Sequence, residues 1–287
     1  MEKSKVYVTK EITPEAVLKL YDAMGVSLPG KVAVKLHSGE VGNQNFIRPE
    51  FWKPMVEKVG GTIIECNTAY EGARNTTEAH WETMKKHGWA EIAKVDILDA
   101  ESEMELPIEN GKRIHRNFVG SNLQNYDSML VLTHFKGHPM GGFGGSLKNI
   151  SIGIASSHGK AYIHGVGVEE NFWTADHDSF LESMADAASS IAKYFEGKIA
   201  YINVMKNMSV DCDCCAVAED PKMADIGMLA SLDPVALDQA CVDLVYQSDD
   251  PGKKHLIERM ESRNGIHTVE AAAELGIGSR DYEFVEI

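Results

Sequence analysis

Two histidines, two lysines and five glycines fall within sixteen consecutive residues, His134-Phe-Lys-Gly-His-Pro-Met-Gly-Gly-Phe-Gly-Gly-Ser-Leu-Lys148-Asn149. Histidine and lysine are the ordinary side chains for proton transfer and anion binding near neutral pH. Glycine lets the backbone approach a ligand closely. A glycine-rich turn that opens a helix also aims several N–H groups at one spot, which suits a phosphate or carboxylate. Gly144, Gly145, Ser146, Lys148 and Asn149 are therefore candidate anion- or cofactor-binding residues. His134, Lys136 and His138 are candidate catalytic groups, and a buried Lys136 would serve as an anion ligand or a tuned base. The two histidines have i, i+4 spacing, but Gly137 and Pro139 disfavour a helix between them. Neither a Walker loop nor a Gly-x-Gly-x-x-Gly fingerprint is present.

A second chemical cluster is Asp211-Cys-Asp-Cys-Cys215. Thiolates bind zinc and iron well, so Cys212, Cys214 and Cys215 are candidate metal ligands, with Asp211 or Asp213 close by. The spacing matches neither a bacterial ferredoxin nor a zinc ribbon. A further ligand is expected from a histidine on a neighbouring loop. The alternative is a set of small buried residues at a tight turn. His37 and Glu40 form a candidate acid–base or metal-ligand pair. Arg74, with Asn67, Thr68 and Tyr70, offers a fork for a carboxylate or phosphate. His158 and His164 flank Gly159-Lys160 and rank below His134.

These groups follow apolar runs. Residues 31–36, 62–66, 128–133, 199–204 and 225–230 read as strands, each ending in polar signatures. Residues 49–59, 77–86, 179–195 and 234–246 carry apolar side chains at helical spacing, the last opening with Asp233 as N-cap and Pro234 at the first position. Alternation of strand and helix predicts an α/β fold with a largely parallel sheet flanked by helices and the site at the carboxyl ends of the strands. One α/β domain over 1–287 is expected, with 167–176 the place for any subdivision.

The chain has 287 residues, 44% hydrophobic and 25% charged, enough for a packed core. Its net charge of −15 argues against nucleic acid as a partner. No apolar stretch is long enough to cross a bilayer, and the N-terminal residues lack a signal-peptide core, so a cytoplasmic location away from membranes is expected. Five cysteines, an odd number, disfavour a disulfide framework.

Val34-Lys-Leu-His-Ser-Gly-Glu40, Asn67-Thr-Ala-Tyr-Glu-Gly-Ala-Arg74, His134-Phe-Lys-Gly-His138, Gly142-Phe-Gly-Gly-Ser-Leu-Lys-Asn149, Cys212-Asp-Cys and Asp225-Ile-Gly-Met-Leu-Ala-Ser-Leu-Asp-Pro234 occur in this order. In these motifs the chain resembles the uncharacterised iron–sulfur-centre proteins, a domain of unknown function (number 362). Many members of that family carry an inserted ferredoxin module after the glycine loop. Here the corresponding segment, Gly165-Val-Gly-Val-Glu-Glu-Asn-Phe-Trp173, contains no cysteine, and no ferredoxin-type cluster motif is present.

The resemblance favours a redox enzyme on a small anionic substrate, assisted by an iron or zinc ion, a flavin nucleotide, or both. Electrons would then come from a separate electron-transfer protein or a bound cofactor. The missing module leaves room for a non-redox metal or Lys/His acid–base enzyme acting on a carboxylate or phosphate compound. A non-catalytic metal- or ligand-binding protein is the third alternative.

Overall fold

The computed structural model describes residues 3–287. From the amino end the elements are β1 (Ser4–Thr9), α1 (Pro14–Ala23), β2 (Val32–Lys35), α2 (Pro49–Val59), β3 (Thr62–Glu65), α3 (Thr77–Lys86), α4 (Trp89–Ile92) and β4 (Val95–Ile97). A hairpin of β5 (Glu103–Pro107) and β6 (Arg116–Gly120) leads to β7 (Ser128–His134), a small hairpin of β8 (Lys136–His138) and β9 (Gly142–Gly144), and α5 (Ser146–Ile150). Then come α6 (Ser157–His164), α7 (His177–Tyr194), β10 (Ile199–Met205), β11 (Gly227–Ser231), α8 (Pro234–Gln247), α9 (Lys253–Ser262), α10 (His267–Glu274) and β12 (Tyr282–Glu286).

Eight strands form one sheet in the order β12-β1-β11-β10-β7-β2-β3-β4, in which β11 alone runs against the others. Burial on both faces explains why the central strands read as continuous apolar runs. Along β7, Met129 and Val131 enter the core on one face, while Leu130 and Leu132 enter the core on the other. The first face is covered by α5, α7 and α8 and the second by α1 and α2. The sequence placed these central elements well. Asp233 caps α8 by accepting from the amides of Val235 and Ala236 at 2.9 Å each. The start of α7 differs from expectation: Asp176, not a residue at 178–179, accepts from the Ser179 amide at 3.0 Å and begins the helix at His177. No described helix is long and apolar enough to cross a membrane.

The glycine-rich segment departs most from its sequence reading. It is no open phosphate cradle, because 136–138 and 142–144 pair as a buried hairpin. The amides of Ser146 and Leu147, at the start of α5, donate to the carboxylate of Asp238 at 2.8 and 2.9 Å. A Cβ at Gly145 would lie 2.4 Å from an Asp238 oxygen, so glycine there permits the contact. The amide pocket thus already holds an anion, supplied by α8. Asn203 donates to the same carboxylate at 2.8 Å, and Ser146 Oγ donates to Asn203. Gly145 and Ser146 are anion-binding in this internal sense. The amides of Ser146 and Leu147 are thus not free for a nucleotide phosphate, that of a flavin included.

Burial raises the Asp238 carboxyl from its usual 3.8 to about 6, against the pull of the Leu147, Asn203 and Ser146 donors. The folded chain therefore binds this proton more tightly than the unfolded chain between those values. Its contribution to stability is full below about pH 4 and is lost as the pH rises through about 6. Urea denaturation checks this against Asp238→Asn. The variant should be less stable by about 1–3 kcal/mol at pH 4 to 5, and the gap should narrow as the pH is raised past 6.

Candidate functional site

The chain reverses direction across the sheet between β2 and β7. From β2 it proceeds through α2 to β3 on one side, and from β7 it proceeds to β10 on the other. In open α/β sheets a crevice forms at the carboxyl ends of strands at such a point. A cavity of about 300 Å³ lies there. Its walls are the loops after β2, β3 and β7, the α5–α6 region and the cysteine loop after β10. Phe172 and the largely exposed Trp173 stand at its edge.

Three buried ion pairs support the walls. Lys35, at the end of β2, meets Glu65, at the end of β3, at 2.7 Å, and Glu65 also accepts from the Ser38 amide. Burial lowers the Lys35 pKa, although Glu65 opposes this. Arg74 Nε donates to Glu40 at 3.1 Å. Asp213 lies between Lys136 at 2.9 Å and His134 Nδ1 at 3.0 Å. Burial works against an Asp213 charge, yet His134 and Lys136 hold the carboxyl far below its usual range. Lys136 loses by burial but gains more from Asp213 and the cysteines, so its pKa is raised and it stays an ammonium. The expectation of a lysine base is thereby corrected. His134 is committed as well: its Nε2 donates to the Lys206 carbonyl at 2.6 Å, leaving neither ring nitrogen for catalysis or a metal.

His138, Cys212 and Cys214 present one ligand atom each, all within 4.8 Å of one another. The main chain brings the cysteine loop here. The Gly137 amide donates to the Ser209 carbonyl at 2.7 Å, and a Cβ on Gly137 would lie 2.3 Å from the Val210 oxygen. Cys215 falls outside the cluster. Asp211 and Asp213 do not join it either: Asp211 accepts from the Glu219 amide and pairs with Arg259. The Cys212 thiol is pushed up to about 11, first by its hydrogen bond with Cys214 and then by burial.

Backbone contacts fix the other rings. His138 Nδ1 accepts from the amides of Met140 and Gly141 at 3.1 and 2.8 Å. The neutral ring therefore carries its proton on Nε2. Burial lowers the His138 pKa to about 4. His37 Nδ1 accepts from the Gly39 amide at 3.0 Å, and burial followed by Arg74 drives its pKa well down. His164 is the opposite tautomer, because its Nδ1 donates to the Lys160 carbonyl at 2.7 Å. Its Nε2 is left with a lone pair, and burial lowers its pKa to about 4.

The remaining expectations divide. Thr68, Tyr70, Arg74, Gly144, Lys148 and Asn149 line the cavity with His37, His134, Lys136 and His138. Asn67 does not. It donates to Thr77 and faces His80, which ties the loop after β3 to α3. Glu40 also lies behind the wall and acts on the cavity through Arg74. Sequence reading passed over Lys35, Glu65 and Lys160, which line the cavity together with His164. A lysine in the apolar run 31–36 was the available signal for the first.

Together these features define an α/β protein with a composite cationic cavity and a Cys/His corner at the strand ends. The chain belongs to the family described as Domain of unknown function (DUF362), which matches residues 32–243, a span that includes every cavity residue named above. No curated protein matches the chain. Among solved structures it is similar to the lactate racemase apoprotein from Thermoanaerobacterium thermosaccharolyticum, with a TM-score of 0.48 and 14% identity over 99% of this chain and 83% of that one. A protein from Thermotoga maritima gives a TM-score of 0.45 and 13% identity over 93% and 59%. The family description itself names no iron–sulfur centre. Among the described residues, the cysteines gathered with another ligand number two, while Cys66 and Cys241 are buried in the core.

Removing one partner of a buried pair leaves an uncompensated charge. Lys136→Met should therefore lower stability by about 3–5 kcal/mol in chemical denaturation, whereas the exposed Lys85→Met, which breaks the Lys85–Glu82 pair, should cost under about 1 kcal/mol.

Proposed function

We propose that the protein is an enzyme that holds a thiolate-ligated zinc or iron ion between Cys212 and Cys214 and acts with it on a small anionic substrate. The observation supporting this reading is the convergence of His138, Cys212 and Cys214 on a cavity that also presents Lys148. Soft sulfur donors suit these metals. Two thiolates and at most one imidazole leave part of a tetrahedral sphere free, as catalytic sites do. Bound there, the ion would polarise a substrate oxygen as a Lewis acid.

The chain's own side chains supply the rest. Lys148 binds the anionic group. His37, with its proton on Nε2, offers a hydrogen-bond donor, and His164, with its Nε2 lone pair, offers an acceptor. Lys136, paired with Asp213, holds the cysteine loop against the cavity. Because main-chain amides occupy Nδ1 of His138, the cysteines carry most of the metal affinity. The sulfur character of the ligands favours a second reading when the ion is iron, namely electron exchange at this same corner with a separate electron-transfer protein as donor.

Elemental analysis of protein loaded without oxygen should find about one metal per chain, as a single such site requires. Cys212→Ser and Cys214→Ser should each reduce this to background, His138→Ala should retain a weakened site, and Cys215→Ser should match the parent. Full metal content in the Cys212→Ser, Cys214→Ser double variant would sink the proposal. A colourless zinc protein supports the Lewis-acid reading, and an iron band that bleaches on chemical reduction supports the redox one.

A further inference from the structure

The cavity carries more positive charge than the protein balances. Lys35, Arg74 and Lys136 are neutralised by Glu65, Glu40 and Asp213 at 2.7, 3.1 and 2.9 Å. Lys148 and Lys160 also face the cavity, and neither forms an ion pair with any described residue. Lys160 donates to the Ala155 carbonyl at 2.6 Å, which is a neutral acceptor. Asp99, the acidic group beside this wall, accepts from the amides of Asn67 and Ser157 and forms no ion pair with Lys160. Lys160 is only 7% exposed, so water does little to compensate it. Both side chains line the same cavity as the buried ring of His164. The cysteines do not alter the sum. Two thiols are neutral, and two thiolates cancel a divalent ion.

Two lysines without an ion-pair partner in one enclosure are out of character for a chain of net charge −15. Buried charges are normally paired, so the missing partners are those of the ligand. We infer that the substrate is a small dianion whose charge is divided between Lys148 and Lys160, such as a dicarboxylate or a phosphoryl compound, and not a monocarboxylate. This rests on the anion-binding half of the proposed function and is independent of the metal half. It also gives Lys160 a binding role.

The test is calorimetric titration of the whole protein, with and without zinc, using succinate, inorganic phosphate and propionate at one ionic strength. The dianions should bind at least ~10-fold more tightly than propionate, and Lys148→Gln and Lys160→Gln should each weaken dianion binding by roughly 10- to 100-fold. Should Lys160→Gln fail to fold, Lys148→Gln and the dianion-to-monoanion ratio still decide. Succinate ahead of phosphate identifies two separated anionic groups, and phosphate ahead of succinate identifies a phosphoryl group; either result supports the inference. Propionate equal to both, or no dianion binding by protein that takes up zinc, overturns it and leaves the metal centre standing. Dianion binding by protein that takes up no zinc supports it and removes the zinc reading of the metal half of the proposed function.

Discussion

The arrangement of the site depends on one buried carboxylate. Asp213 sits between two cysteines, yet its side chain turns away from them toward Lys136 and His134. Its main-chain oxygen accepts from the Glu40 amide at 2.8 Å, and Glu40 in turn holds Arg74. Loops following β2, β3, β7 and β10 are thereby joined through one residue. A buried charge with strong partners has few alternative positions, because moving it leaves several groups unsatisfied together. Cys212 and Cys214 flank this anchor, and their sulfurs face the cavity while Asp213 faces the wall.

The same economy operates at the start of α5. A helix N-terminus with a small-residue approach is well suited to an anion, and here the anion belongs to α8. Asp238 fixes α5 against the sheet, so Lys148, within α5, reaches the cavity from a rigid base. The recognition of anions falls to side chains, while the main-chain donors serve the fold.

Much of the architecture was legible because the central strands are apolar throughout and their helices carry periodic stripes and caps. Asp233-Pro234 marked α8 correctly for that reason. The place of the cavity was legible too, since polar residues follow apolar runs at strand ends. Partnership was not. Nothing near His134 in sequence indicates that Asp213, 79 residues away, will claim it. Nor does the glycine-rich turn reveal that Asp238, 92 residues from Ser146, will fill it. Glu40 and Asn67 read as site residues because their types are right, but long-range pairing turned them into supports. Periodicity reports which face of an element is buried, whereas ionic partnership depends on contacts between distant segments.

The histidines of the cavity carry a consequence of their own. His37 and His138 each receive main-chain amides on Nδ1, whereas His164 gives its Nδ1 proton to a carbonyl. Their protonation patterns are thus written by the backbone and cannot invert without opening a turn or a helix. Hydrogen bonding in the compartment acquires a fixed pattern: His37 and His138 keep an N–H on Nε2, whereas His164 keeps a lone pair there. The cavity is polarised before any ligand arrives, and a bound molecule inherits that orientation.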